Sequence, residues 1–219
     1  CLDAYEYQCG RGVNIGIEKA TQLGILAKEK GIELSLHAPY YISMSSVEEE
    51  KRDNSINYIL SSARAVDAMG GNRIIVHAGS CGKINREYAL ELAVDTMKKA
   101  LSTLDGEGLS HIRICPETMG KINQLGDLNE VLSLCELDER LLPCIDFGHV
   151  YARSLGGLST KEDVRSLFDT LENYLGKERI INFHSHFSHI RFTSGGEQSH
   201  LNFKDELFGP DFELIAEET

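Results

Sequence analysis

Histidine and carboxylate side chains occur at the ends of successive short apolar runs in this sequence. The runs ELSLH, RIIVH, HIRICPE, LPCID and IINFHSH each finish on such a residue, and a pair of glutamates closes the last run. Imidazole nitrogens and carboxylate oxygens together are ligands of Zn²⁺ and other first-row divalent ions. A set without cysteine and with room for water is typical of a catalytic metal site. Its members are His37, His77, Glu117, Asp146, His149, His184, His186, Glu217 and Glu218.

Each of these residues also has an ordinary structural interpretation. A single histidine at a strand end is more often hydrogen-bonded than bound to a metal. Glu217 and Glu218 are compatible with a solvated end of the chain, and Asp146-Phe-Gly-His is compatible with a turn. The metal-site hypothesis therefore depends on the joint placement of these residues and not on any one of them.

The elements that must position these residues alternate between strand and helix. The sequence predicts strands at 2–8, 33–37, 73–77, 111–117, 142–146, 180–186 and 212–217. It predicts helices near 15–30, 47–69, 84–104, 127–136 and 160–175. Such alternation predicts a parallel sheet.

Seven strands in 219 residues favour a TIM-type (β/α)8 barrel, with an open doubly wound sheet as the alternative. We expect a single barrel domain over residues 1–219. Because the chain opens on a strand and stops just past the acidic pair, we expect that the first strand and helix and the last helix of the barrel are lacking. In such a barrel the carboxyl ends of the strands converge on one mouth, which would gather the metal ligands.

Composition and charge restrict the class of protein. Hydrophobic residues make up 42% and charged residues 26% of the chain, as in an ordinary globular protein. No apolar run is long enough to span a membrane, no signal peptide is evident, and the six scattered cysteines favour a reduced cytoplasmic protein. We expect a monomer with no membrane partner. The net charge of -12 argues against a general nucleic-acid binder, although bound cations would offset carboxylates locally.

The ordered motifs resemble those of a known family. They are LSLHAPYYISM (34–44), IIVHAGS (74–80), ICPETMGK (114–121), CIDFGHVYA (144–152), HSHFSHIRFTSGGEQSHL (184–201) and IAEET (215–219). Together they are similar to successive motifs of the endonuclease IV family of apurinic/apyrimidinic endonucleases. The resemblance implies a TIM barrel with three zinc ions, which hydrolyses the phosphodiester 5′ to an abasic site in double-stranded DNA during base-excision repair.

The resemblance also implies a ligand set. His37, His77 and Glu117 would hold the first ion, and Glu117 would bridge to the second and orient the attacking water, which makes it the catalytic residue. The second ion would also take Asp146, His186 and Glu218, and the third would take His149 and His200. Where the family has an Asp-x-His pair at the third ion, this chain has Glu197 and His200 with one more residue between them. Either Glu197 replaces the aspartate, or the third site is weak and two ions bind.

The family's DNA contacts map onto loops at the barrel mouth. Family members carry an aromatic residue at the position of Tyr40 that inserts at the lesion, although Tyr40 and Tyr41 could simply cap the barrel. Arg11 is a second DNA-contact candidate, with a solvated loop charge as the alternative. Arg153, Lys121 and Arg191 fall just beyond strand ends, where they could contact phosphates.

Two other functions stay open at this point. A sugar isomerase or epimerase on the same barrel would use one or two divalent ions and no DNA. A non-catalytic barrel stabilised by metal is the third hypothesis. The residue types fit Zn²⁺, Mn²⁺ and Fe²⁺ alike, so the sequence does not identify the metal.

Overall fold

The computed structural model describes residues 2–205 and 207–218. These residues form two compact units, one that ends at Pro116 and one that begins at Glu117. The first unit alternates strand and helix throughout. Its elements are β1 (Ala4–Gln8), α1 (Ile17–Lys30), β2 (Glu33–His37), α2 (Glu49–Ala68), β3 (Arg73–Val76), α3 (Arg86–Gly106) and β4 (Arg113–Pro116).

The four strands of the first unit form one parallel sheet in the order β1-β2-β3-β4. Strands β3 and β4 are apolar on both faces, with Ile74, Ile75 and Ile114 fully buried, as expected for parallel strands covered by helices. On α3, small and apolar residues recur every three or four positions and are buried. They are Ala89, Ala93, Met97, Ala100, Leu101 and Leu104.

The second unit has shorter strands and more helices. Its elements are α4 (Leu128–Cys135), β5 (Cys144–Asp146), α5 (Phe147–Arg153), α6 (Lys161–Leu175), α7 (Lys177–Ile180), β6 (His184–His186), β7 (His189–Thr193), β8 (Gly196–Leu201) and α8 (Phe212–Ala216). Strands β5 and β6 pair in parallel, and Glu117 forms a parallel bridge to Cys144 beside them. Strands β7 and β8 form an antiparallel hairpin.

The predicted α/β class with parallel strands is confirmed, and β1 to β6 lie within the first six predicted runs. The seventh predicted strand, 212–217, is wrong, because this segment is the helix α8. Asp211 caps it by accepting a hydrogen bond from the Glu213 N–H at 3.0 Å. A short apolar run does not by itself distinguish strand from helix, and here the capping residue decides.

Other differences concern the second unit. The predicted strand 180–186 is reduced to its last three residues, because α7 extends to Ile180. Helix α5 and the β7–β8 hairpin were not predicted. Over the described residues, no helix is long and apolar enough to cross a membrane. The five described cysteines are buried thiols. The single domain, the monomer and the cytoplasmic location stay predictions.

Helix α1 approaches the end of α2 closely at a glycine. A Cβ on Gly24 would lie 2.2 Å from the carbonyl oxygen of Met69. We predict that Gly24→Ala lowers the free energy of unfolding by about 1–3 kcal/mol through overpacking, although alanine has the better helix propensity by about 1 kcal/mol. Urea unfolding measures this.

The control is Gly106→Ala at the end of α3, where an added Cβ would meet nothing within 4 Å. The control should be neutral or stabilising. Equal stability of the two variants would contradict the close helix contact.

Candidate metal centre

Two strand ends of the second unit and the neighbouring Glu117 place acidic and imidazole groups side by side. Asp146 ends β5 and is the register partner of His186 at the end of β6. Residues paired in a parallel ladder project to the same face of the sheet. Glu117 lies beside them, because it forms a parallel β-bridge to Cys144. The Thr118 N–H donates to the Cys144 carbonyl at 2.9 Å and stabilises this bridge.

These groups and His149 form what we call the carboxylate cluster: Glu117, Asp146, His149 and His186. His186 Nδ1 lies 2.8 Å from Glu117 Oε1 and 3.9 Å from Asp146 Oδ2. His149 Nδ1 lies 3.4 Å from Asp146 Oδ2 and 3.7 Å from Glu117 Oε1. Glu117 and Asp146 are only 2% and 3% exposed. The structure therefore brings together four of the predicted ligands.

Asp146 both ends β5 and starts α5. Its Oδ1 accepts the His149 N–H at 2.8 Å, which caps the helix and directs the histidine back towards the cluster. The absence of a side chain at Gly148 lets the start of α5 lie against Ser188, because a Cβ there would be 2.4 Å from the Ser188 carbonyl oxygen. The sequence Asp-Phe-Gly-His is thus a helix start and not only a turn.

The His149 ring is oriented by a backbone carbonyl. Its Nδ1 lies 2.8 Å from the carbonyl oxygen of Thr118. A carbonyl can only accept, so this nitrogen carries the hydrogen and Nε2 keeps its lone pair. Nε2 lies 3.5 Å from Glu197 Oε2. Such fixing of the tautomer is what a metal-binding histidine requires.

A second group, which we call the hairpin cluster, contains His149, Glu197 and His200. Their ligand atoms lie within 4.8 Å of one another, and His200 Nε2 is 3.7 Å from Glu197 Oε1. In a regular strand, residues three apart would face opposite sides. Here Arg191 pairs with Ser199 and Phe192 with Glu197, so a bulge at Gln198 turns both side chains to one side. The bulge accommodates the extra residue in this segment.

The hairpin tip is held against the loop 119–126. Glu197 N–H donates to the Gly120 carbonyl at 3.0 Å, and Ile122 N–H donates to the Gly195 carbonyl at 3.1 Å. The guanidinium of Arg153 donates to four carbonyls of this loop, those of Met119, Lys121, Gln124 and Ile122, at 2.8–3.3 Å. Arg153, predicted as a phosphate contact, instead holds this loop and so positions the hairpin cluster.

Glu218, predicted as a ligand of the second ion, is not brought to the carboxylate cluster. It follows α8, and both its oxygens accept from the guanidinium of Arg165, at 2.8 and 2.9 Å. This pairing holds the pKa of Glu218 below its usual value. Glu217 pairs with Lys161. The physical reason is that the segment is a helix, so its last glutamates do not stand at the end of a strand.

The first unit carries the other predicted ligands and the predicted DNA contacts. The rings of His37 and His77 lie edge to face with centroids 5.1 Å apart. The hydroxyl oxygens of Tyr40 and Tyr41 lie 3.3 Å apart, and both side chains are about half exposed. The hydrogen bond with Tyr41 and the nearby Arg11 guanidinium hold the pKa of Tyr40 below its usual value. Arg11 and Tyr40 are therefore neighbours, as a shared surface would require.

The carboxylate cluster fits a divalent cation. Burial of an ionised carboxylate costs several kcal/mol unless an opposite charge offsets it, and Glu117 and Asp146 are both buried. The imidazoles of His149 and His186 beside them add nitrogen atoms that a metal ion could use as ligands. Mixed imidazole and carboxylate donors are the set that first-row divalent ions prefer.

Alternating helices and parallel strands, with histidine and carboxylate groups gathered at strand ends, are typical of the (β/α)-barrel class. The chain belongs to the xylose isomerase-like TIM barrel family, whose sequence model matches residues 2–216. The predicted fold class is therefore confirmed, and the predicted resemblance is confirmed at the level of the family.

Similar sequences include proteins named as endonucleases. An uncharacterized protein of Methanocaldococcus jannaschii is 36% identical over 209 residues, which cover 94% of this chain and 74% of that protein. A probable endonuclease 4 of Acholeplasma laidlawii is 27% identical over 161 residues, which cover 70% of this chain and 54% of that protein. One of Methanosphaera stadtmanae is 25% identical, with 68% and 52% covered. The chain thus spans about half the length of these endonuclease relatives.

Similar structures include both epimerases and endonucleases. A D-tagatose 3-epimerase-like protein superposes with a TM-score of 0.77 at 19% identity and covers 99% of this chain and 76% of that one. Endonuclease IV from Thermus thermophilus superposes with a TM-score of 0.60 at 21% identity, with 82% and 64% covered. At such identities the likeness concerns the fold alone.

We predict that Arg153→Met loosens the loop 119–126 and the hairpin cluster. Loss of hydrogen bonds from a charged donor should lower the free energy of unfolding by about 2 kcal/mol and speed amide exchange in this loop. Hydrogen-deuterium exchange measures the second effect. Arg191→Met, at an exposed position of β7, is the control and should leave exchange in the loop unchanged. Equal exchange in both variants would contradict the role of Arg153.

Proposed function

We propose that the chain is a metal-dependent apurinic/apyrimidinic endonuclease that acts on double-stranded DNA containing abasic sites and serves DNA repair. The observation that carries this proposal is the pairing of two ligand clusters in the second unit, which have His149 in common. An enzyme that displaces a phosphodiester benefits from several cations around one phosphate. The named endonuclease relatives, which match about two thirds of this chain, support the same assignment.

The chain's own residues divide into proposed ligand groups. Glu117, Asp146 and His186 would hold one ion, since His186 Nδ1 lies 2.8 Å from the first carboxylate and 3.9 Å from the second. His149, Glu197 and His200 would hold another. His37 and His77 stay proposed ligands of a third, with Zn²⁺ as the proposed metal and Mn²⁺ or Fe²⁺ as alternatives. Glu218 is left out, because Arg165 already pairs with both of its oxygens.

Divalent ions bound there would neutralise the phosphate oxygens and make a water molecule acidic enough to attack near neutral pH. Glu117 has the central place among the residues. Its Oε1 is fixed by His186 at 2.8 Å, so its carboxylate can hold the attacking water in one orientation. His149, oriented by the Thr118 carbonyl, presents Nε2 towards Glu197. An ion held there would stabilise the leaving 3′-oxygen.

Tyr40 and Arg11 are the proposed contacts to DNA. Tyr40 is 49% exposed, so its ring is available to stack where a base is missing. An abasic nucleotide costs less to unstack than a normal one, which favours its selection. Arg11 beside Tyr40 would meet the phosphate backbone.

A sugar epimerase is the second candidate, because the chain superposes over 99% of its length on a D-tagatose 3-epimerase-like fold. Such an enzyme needs one ion or two, which the carboxylate cluster alone could hold. The hairpin cluster has no evident use in it. This difference favours the endonuclease, and assays on abasic DNA and on ketose sugars should be run side by side.

We predict that Glu117→Gln lowers nicking of an abasic duplex by at least about a hundredfold, because a neutral amide orients water and binds cations poorly. Initial rates on a labelled abasic duplex measure this. Glu172→Gln, on the exposed surface of α6, is the matched control and should keep its activity. Near-normal nicking by the folded Glu117→Gln protein would refute the mechanism.

We further predict that removal of metal weakens binding of abasic DNA by about tenfold or more at fixed ionic strength. The chain carries a net charge of -12, so without cations its field repels phosphate. Fluorescence anisotropy before and after chelation measures the change, and added Zn²⁺ should restore the affinity. Equal affinity with and without metal would mean that the ions do not supply the attractive field.

A further inference from the structure

Beneath the carboxylate cluster, strands β5 and β6 carry a second layer of ligand groups. Cys144 and His184 are register partners, two residues before Asp146 and His186. Because side chains alternate along a strand, Cys144 and His184 project to the same face as the pair that follows them. The short motifs Cys-Ile-Asp and His-Ser-His thus build two successive layers.

The layers meet at His186. The Sγ of Cys144 lies 3.8 Å from His186 Nδ1, and the rings of His184 and His186 lie edge to face with centroids 5.2 Å apart. One ligand atom each of Cys144, His184 and His186 lies within 4.8 Å of the others. A tetrahedral zinc site with usual bond lengths separates sulfur and nitrogen by about 3.6 Å. The observed spacing needs little adjustment to reach this value.

We propose that Cys144, His184 and His186 form a thiolate and imidazole site for a thiophilic divalent ion such as Zn²⁺. Coordination would replace the S–H bond of Cys144 by a sulfur–metal bond and release the proton to solvent. Cys144 is fully buried, whereas His184 and His186 are partly exposed, so an ion would enter from the histidine side. This site has only His186 in common with the carboxylate cluster, so an ion bound by Cys144 competes for that ligand with the ion proposed there.

The thiolate has a consequence for the choice of metal. Carboxylate and imidazole donors accept Mn²⁺, Fe²⁺ and Zn²⁺ alike, whereas a thiolate favours Zn²⁺ and related softer ions. An ion held by Cys144 would also draw His186 away from Glu117, which its Nδ1 now meets at 2.8 Å. The thiol layer therefore prefers Zn²⁺ over Mn²⁺ and Fe²⁺, whereas the carboxylate cluster alone would accept all three.

The test uses Co²⁺ added to the metal-free full chain. We expect a near-ultraviolet thiolate-to-cobalt charge-transfer band whose final intensity corresponds to one thiolate-bound Co²⁺ per chain. Cys144→Ser should lose this band, whereas Cys135→Ser, which removes an equally buried thiol on α4, should keep it. His184→Gln, at a partly exposed position, should need about tenfold more Co²⁺ to develop the band.

Two results would overturn the proposal. One is cobalt bound by the wild-type chain without the charge-transfer band, and the other is an undiminished band in folded Cys144→Ser. If Cys144→Ser does not fold, His184→Gln decides in the same way, because an unchanged titration there would refute the site. The nicking assay reports on the proposed endonuclease independently. Loss of that activity with the band intact would refute only the endonuclease.

Discussion

The burial of two carboxylates side by side is the constraint on which the second unit depends. Glu117 and Asp146 are almost fully excluded from solvent, although ionised carboxylates are costly to desolvate. Part of the cost is offset by the imidazole of His186 and by the N-terminus of α5, whose N–H groups face Asp146. A divalent cation at the cluster would supply the positive charge that peptide dipoles do not, and imidazole and carboxylate donors suit such an ion.

Several residues of the second unit both shape the backbone and orient the groups around the buried carboxylates. Asp146 ends a strand, caps a helix and faces the cluster, so its orientation is fixed by the backbone on both sides. His149 receives its tautomer from the Thr118 carbonyl and thereby directs Nε2 to Glu197. Arg153 donates hydrogen bonds to the loop 119–126, and the tip of the hairpin is hydrogen-bonded to that loop. Because each group is held by main-chain atoms, the site can be formed before any ion binds.

The sequence predicted the site better where ligands end parallel strands than where they follow other elements. Asp146 and His186 were found because an apolar run followed by a polar residue marks a strand end. The same rule gave a wrong strand before Glu218, since a short apolar run after Asp211 is also compatible with a helix. Glu197 and His200 could be named only by resemblance. Their shared side depends on a bulge in the pairing with β7, which no property of the segment itself reveals.

Substrate charge separates the two candidate functions more sharply than the fold does, because epimerases and endonucleases have the same barrel. Glu117, Asp146 and Glu197 bring three formal negative charges to the two clusters. A neutral sugar can bind beside them with one ion present. A phosphodiester is repelled unless the bound cations outweigh the carboxylates, and three divalent ions would bring roughly six positive charges. The acidity of the chain would thus have to be outweighed by cations at its surplus ligand groups, and this is what the proposed anionic substrate requires and a neutral sugar does not.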